Sequence, residues 1–183
     1  MGRVVITAYI SVDGVVEAPS GTESFERVGW TDDFSRGDEG DEFKWDETMN
    51  SDALLLGRAT YDGFAPVWPH VEGAFADKFN SMPKYVVSKT LEHADWSNTT
   101  ILSEDPLERV RELKADQNLL IWGSPTLVQS LLDAGLVDEL VLLYSPIVRG
   151  EGNRLFRDGQ NHKLRVIEAT QLSGGMLGLK LAA

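Results

Sequence analysis

Apolar, strand-like runs alternate with helix signals through the middle of the chain, and two further strand-like runs follow with no helix between them. That order predicts an α/β fold: a mixed, mostly parallel sheet flanked by helices, with an antiparallel C-terminal edge. The chain has 183 residues and no linker or repeat divides it, so residues 1–183 read as one domain. A core of this size should bury roughly 70% of the unfolded surface.

The first run, Val4 to Val12, is β-branched and stops at the turn pair Asp13-Gly14. A polar stretch from Glu17 to Gly40 follows, long for a plain connection. Apolar positions at Phe43, Trp45 and Met49 predict a short helix over Asp41 to Asn50. Ala53 to Leu56 is a buried strand closed by Gly57. Helices are expected over Thr60 to Trp68 and Ala74 to Asn80, and strands over Lys84 to Ser88 and Thr99 to Leu102. Pro106 takes the first position of a helix that runs to about Ala115. Asn118 to Trp122 is a strand, and a helix over Thr126 to Ala134 stops at Gly135. Val137 to Val148 reads as one long strand, and Leu164 to Ala182 as two strands joined around Gly174-Gly175.

Composition excludes several chemistries. Seventeen basic and 29 acidic residues give a formal net charge of −12, which opposes binding to DNA, RNA or an anionic membrane. Residues 1–50 carry twelve acidic and four basic side chains, so the acidity concentrates before Gly57. Without cysteine there is no disulfide, thiolate nucleophile or cysteine-ligated metal. His70, His93 and His162 lack metal-ligand spacing and read as surface residues; no metal is expected. The N-terminus shows no signal segment, and no run approaches a membrane span, so a cytoplasmic protein is expected.

Three segments share one design, a strand followed by a tight turn of small or polar residues: LLLGRATY (54–61), YVVSKT (85–90) and LLIWGSPTL (119–127). In an open α/β sheet, ligands bind outside the carboxyl ends of the strands. Gly57 permits close backbone approach, Arg58 adds a cation and Thr60 a hydroxyl. Ser88, Lys89 and Thr90 bring two hydroxyls and a second cation, and Gly123-Ser124 begins another helix. Two cations at such turns in an acidic chain point to a nucleotide phosphate.

The string LLLGRATYDGF resembles the Gly-Arg-x-Thr-[Trp/Tyr] segment of the dihydrofolate reductase superfamily, and KYVVSKTL resembles its next strand and loop. LLIWGSPTLVQSLLDAGLVDELVLLYSPIVRGEGNRLF is similar to the reductase domain at the C-terminus of the riboflavin-biosynthesis deaminase–reductase and its stand-alone relatives. TAYISVDGVVE matches the opening of the same group. The resemblance implies a dihydrofolate reductase-like fold and an NADPH cofactor. It assigns Gly57, Arg58 and Thr60 to the 2′-phosphate and pyrophosphate, and Ser88, Lys89 and Thr90 to the 2′-phosphoadenosine. Gly123, Ser124, Thr126 and Leu127 fall beside the pyrophosphate and nicotinamide ribose. Many members have two consecutive glycines where this chain has Gly123-Ser124.

On the substrate side, the resemblance implies a carboxylate on the first helix that assists protonation. Asp41 stands at a comparable distance before Gly57, with Asp38, Glu42 and Asp46 nearby; burial beside Phe43 or Trp45 would raise its pKa. Asp13, at the end of the first strand, is the second catalytic candidate. A ribose 5-phosphate on the substrate would need cations, for which Arg149 and Arg154 are candidates. The expected activity is NADPH-dependent hydride transfer to a small heterocyclic or ribosylated substrate, of the riboflavin-pathway pyrimidine reductase type. A pterin-reducing dihydrofolate reductase and a non-catalytic NADPH-binding protein are the alternatives. The deaminase half of the bifunctional enzyme needs a histidine–cysteine zinc motif, so its deamination is excluded in a chain without cysteine. The usual Leu-Pro-Trp loop of dihydrofolate reductases has no counterpart, since Trp30 lies between Gly29 and Thr31. A small-molecule substrate and a homodimer joined through the apolar C-terminal strands are expected.

Overall fold

A computed structural model describes residues 2–17 and 29–183 of the chain. Eight strands form one sheet: β1 (Val4–Ser11), β2 (Ala53–Gly57), β3 (Lys84–Val87), β4 (Thr99–Leu102), β5 (Leu119–Trp122), β6 (Glu139–Ser145), β7 (Arg165–Gln171) and β8 (Leu177–Ala182). Their order is β4-β3-β2-β5-β1-β6-β8-β7. The first six run parallel, and β8 pairs antiparallel with both β6 and β7. The predicted antiparallel edge is therefore the β6-β8-β7 side.

The central parallel strands β1, β2, β5 and β6 are buried on both faces, which is why they read as unbroken apolar runs rather than alternating ones. Val4, Ile6, Ala8 and Ile10 of β1 point to one face. There they meet α4 (Pro106–Asp116) through Val110, and α5 (Pro125–Asp133) through Leu127, Val128, Leu131 and Leu132. Burying each of these α5 side chains contributes about 2 kcal/mol. Val5 points to the opposite face with Leu54, Leu56, Leu120 and Leu143. That face is covered by Phe43 of α1 (Gly37–Met49) and by Ala76 and Phe79 of α3 (Ala74–Ser81).

Three boundaries differ from expectation. The predicted 60–68 helix ends early: α2 spans Arg58–Phe64, and a separate 3-10 turn follows at Trp68–His70. Pro66 lacks the N–H and would clash with the preceding turn, so the helix cannot pass through it. Helix α1 begins at Gly37, four residues before the expected start. Strand β6 stops at Ser145, where its ladder with Ser11 of β1 ends and Pro146 cannot donate. Among the described residues, no helix is long and apolar enough to cross a membrane, and no group of His, Asp and Glu could hold a metal ion.

Candidate active site

Helix packing locates a crevice. Chain leaving β1 returns through α1 on one face of the sheet, whereas chain leaving the neighbouring strand β5 returns through α5 on the other. Adjacent strands whose connections part in this way form a switch point, where α/β sheets bind ligands. The β1–β5 ladder ends at the pair Thr7–Trp122, while β1 continues beside β6 as far as Ser11. The two strands thus diverge beyond Trp122.

The turns that follow β2 and β5 are tied into one unit beside this crevice. The Gly57 N–H donates to Ser124 Oγ at 2.9 Å, and the Ser124 N–H donates to Thr60 Oγ1 at 3.0 Å. Ser124 Oγ and Thr60 Oγ1 are also 3.0 Å apart. Gly123 and Ser124 both take left-handed backbone, at φ +59 and +54. That region is easy for glycine and uncommon for serine, and the hydrogen bonds from both ends of Ser124 hold it there. A side chain at Gly123 would also press within 3.3 Å of Thr60 Oγ1. Gly57 is in ordinary extended backbone, and an added Cβ would touch Ser124 at normal contact distance, so the fold itself does not require glycine there.

The β3 turn lies alongside, because Gly57 and Val87 are register partners. Ser88 is buried and accepts from the N–H groups of Thr90 and Leu91, at 3.2 and 3.0 Å, so its hydroxyl shapes the turn. Lys89 and Thr90 are exposed. Arg58 is half-buried, and its Nε is engaged by Asp62 one helical turn later. Thr126 is exposed at the start of α5, whereas Leu127 is buried in the core beneath it.

Trp122 forms a floor between two unlike walls. On the α2–α3 side its ring meets Phe64, Trp68, Phe75 and Phe79 at centroid distances of 5.4 to 6.3 Å. On the α1 side the Lys44 ammonium stands 4.7 Å from the Trp122 centroid and 5.3 Å from that of Tyr9. Lys44 donates to Thr7 Oγ1 and pairs with Glu47 at 3.0 Å, with side chains only 2% and 5% exposed. Burial pushes the Glu47 carboxyl above the usual carboxylate range, against the opposing charge of Lys44. Glu47 Oε2 and Trp122 Nε1 are buried without a hydrogen-bond partner. Farther out, Arg36 donates to the Tyr9 hydroxyl and pairs with Asp41.

A model of the RibD C-terminal domain matches residues 3–177. The chain belongs to that family. The Bacillus subtilis protein YyaP is 27% identical over 187 residues, covering 96% of this chain and 92% of YyaP. Among solved structures, a putative riboflavin biosynthesis protein from Shewanella sp. PV-4 superposes with a TM-score of 0.78 at 18% identity, covering 98% of each chain. Enterococcus faecalis dihydrofolate reductase, solved in complex with NADP(H), superposes with a TM-score of 0.62 at 12% identity, covering 99% of this chain and 96% of that one. The fold of this RibD C-terminal domain is thus dihydrofolate reductase-like.

Within the RibD C-terminal domain, each of the two expected catalytic carboxylates is engaged by neighbouring groups. Asp13 Oδ1 accepts from the Ser11 hydroxyl at 2.7 Å and the Arg149 N–H at 3.0 Å, and Oδ2 accepts from the Gly150 N–H at 2.8 Å. These bonds hold its carboxyl far below the usual range, and as an anion it clasps the 149–150 loop. Arg154 supports the same loop by donating to the Asp13 carbonyl, and the Arg149 guanidinium lies 5.8 Å from the Trp30 ring. Asp41 is not buried beside Phe43 or Trp45 as expected. It lies on the solvent side of α1, with 63% of its side chain exposed, because the inward stripe is Gly40, Phe43, Lys44, Glu47 and Thr48. Sequence reasoning missed Lys44 and Glu47. Their spacing from Phe43 and Thr48 puts all four on one helix face, but in an acid-rich helix the spacing alone does not say that this face is buried.

Proposed function

We propose that the protein is an NADPH-dependent reductase that transfers hydride to a C=N or C=O group of a small heterocyclic or ribosylated substrate. The preferred reaction type is that of the riboflavin-pathway pyrimidine reductase acting on a ribosylaminouracil. The observation that carries this reading is the Gly57–Thr60–Ser124 unit at the β1/β5 switch point, where Trp122 and its aromatic neighbours end β5. Dihydrofolate reductase of the same fold binds NADP(H), and the Shewanella relative bears a riboflavin-biosynthesis description.

The residues present fit a phosphorylated dinucleotide. Gly57 has no steric reason to be glycine within the fold, which suits a backbone that a ligand approaches closely. The left-handed Gly123-Ser124 turn opens α5, and Arg58 and Lys89 bring cations to adjacent strand ends. Arg58 and Lys89 would hold the 2′-phosphate through charge-assisted bonds. Thr60, Thr126 and the 123–124 backbone would meet the pyrophosphate. A bound nicotinamide supplies a hydride. The chain supplies orientation: Trp122 and the Phe64–Trp68–Phe75 wall offer flat apolar surface to a ring and exclude water from it.

The test is NADPH fluorescence titration, followed by NADPH oxidation with a panel of ribosylaminouracil and pterin substrates. Micromolar NADPH binding with weaker NADH binding and turnover of a ribosylaminouracil is expected. An absence of NADPH binding, or a clear preference for NADH, would overturn the cofactor assignment; turnover of pterins alone would overturn the substrate class.

A further inference from the structure

Helix α1 turns a lysine and a glutamate inward, three residues apart, onto the sheet face that forms the cleft. Charged side chains are almost never this buried unless paired, and a buried ion pair commonly adds less stability than an apolar replacement. This pair is also incompletely satisfied. Lys44 has two polar partners, Thr7 and Glu47, and spends the rest of its surface on the faces of Trp122 and Tyr9. Glu47 has one oxygen with no partner, and the Trp122 indole N–H has none either. A donor and an acceptor left open in one buried cluster, at the point where the two central strands diverge, suit a ligand that brings both kinds of group. The edge of a cyclic amide or imine does so.

Resting on the reductase reading above, we propose that Lys44, positioned over Trp122 by Glu47 and Thr7, donates the proton that accompanies reduction of the substrate. As the substrate carbon gains hydride, the π pair of its C=N or C=O bond moves to the heteroatom. The heteroatom takes a proton from Lys44 Nζ and leaves a neutral amine, which water reprotonates after product departs. Glu47 is a positioning residue: it holds the ammonium at the floor and offers a counter-charge while the proton is waiting. Asp41 has no such place, since its partner Arg36 holds it on the solvent side.

The groups that face Glu47 set its titration. Burial opposes the carboxylate, Lys44, the Thr7 hydroxyl and, more distantly, Arg36 favour it, and the Tyr9 phenol stands on the strand beneath. In cofactor-free protein, Trp122 reports the charge of this cluster. Tryptophan emission of the wild type should show a pH transition above the ordinary carboxylate range, lost in Glu47→Gln and in Trp122→Phe. In Lys44→Met it should move to higher pH, because the favourable cation is gone. A wild-type emission profile unchanged by Glu47→Gln would overturn the coupling.

The kinetic arm follows NADPH oxidation with the best substrate of the panel, together with NADPH binding and the thermal midpoint of every variant. Lys44→Met should lose at least about a hundredfold in turnover with NADPH affinity unchanged, and Lys44→Arg should lose it too, because a guanidinium keeps the charge but does not give up its proton. Glu47→Gln should lose about tenfold and flatten the acid limb of the pH profile, which a merely structural role would leave in place. Lys44→Met turning over like the wild type, or Glu47→Gln keeping the wild-type acid limb, overturns the proposal. If Lys44→Met does not fold, Lys44→Arg and Glu47→Gln decide. Failure of the wild type to bind NADPH counts against the cofactor reading instead, and the emission arm still tests the Lys44–Glu47 pair.

Discussion

Arg58 Nε donates to both carboxylate oxygens of Asp62, at 2.8 and 2.7 Å, so the cation expected at the 2′-phosphate is held by an acid one helical turn away. Both side chains reach solvent, and a surface pair of this spacing contributes only about 0.3–0.5 kcal/mol. A phosphate dianion can therefore displace Asp62 at little cost.

Removing the competitor should strengthen cofactor binding. Asp62→Asn is expected to tighten NADPH binding about threefold with NADH binding unchanged, while Arg58→Ala weakens NADPH binding by about tenfold or more. Fluorescence titration of both cofactors against the three proteins measures this. Equal loss of NADPH and NADH affinity in Arg58→Ala would show that Arg58 does not read the 2′-phosphate.

Lys84 is a second buried cation, with a structural part. Its ammonium donates to the carbonyls of Asn80, Met82 and Ser97 at 2.7, 2.8 and 3.1 Å and lies 4.5 Å from the Trp96 ring. Lys84→Met should lower stability by about 2–4 kcal/mol, because the carbonyls of Asn80 and Met82 at the end of α3 and of Ser97 before β4 lose their donor. Burial lowers the pKa of Lys84 from 10.5 to about 8. Between those two values the unfolded chain binds more protons than the folded one, so stability rises as pH increases from 8 to 10.5. The gain is up to about 3 kcal/mol, since the carbonyls and Trp96 retain the charge against burial. Chemical denaturation at several pH values should show that rise in the wild type and not in Lys84→Met.

Asp13 ties the end of β1 to the 149–150 loop, and its loss should be felt locally. Asp13→Ala should speed hydrogen exchange at the Arg149 and Gly150 amides by at least about tenfold, leaving exchange in β5 unchanged. The carboxyl is held below its unfolded value, so this contribution is present above the unfolded pKa. It is lost only as pH falls through the lowered folded value. Unchanged exchange at Arg149 and Gly150 would mean that the loop is held by other contacts.

These residues show where the sequence was readable. The strands β1, β2 and β5 stood out because burial on both faces makes them continuous apolar runs, and the turns at Gly57, Ser88 and Gly123 stood out because small residues end them. The bonds of Ser124 to Gly57 and Thr60 were not legible, since they join positions 64 and 67 residues apart. Nor were Lys44 and Glu47. Within an acid-rich helix, charge reads as solvent exposure, and only packing of α1 against Thr7 and Trp122 reveals that its polar stripe faces inward.

Strand β7 supplies the last prediction. Six of its seven residues are exposed, and Val166 and Ile167, with Leu177 of β8, leave large apolar side chains at 59%, 48% and 41% exposure. An edge strand of this kind presents unpaired backbone groups and templates pairing unless charge or a cover blocks it. Here the charges are few, and Glu168 is already paired with Lys180 at 3.2 Å. A second copy of the chain pairing through this edge would cover those side chains. Sedimentation should therefore give twice the 20.2 kDa chain mass, and Ile167→Lys should halve it while leaving the thermal midpoint of α4 and α5 packing largely intact. A wild type that sediments as a monomer at micromolar concentration would show that β7 is left open, its twist and the bulge between Val166 and Glu168 sufficing to keep partners away.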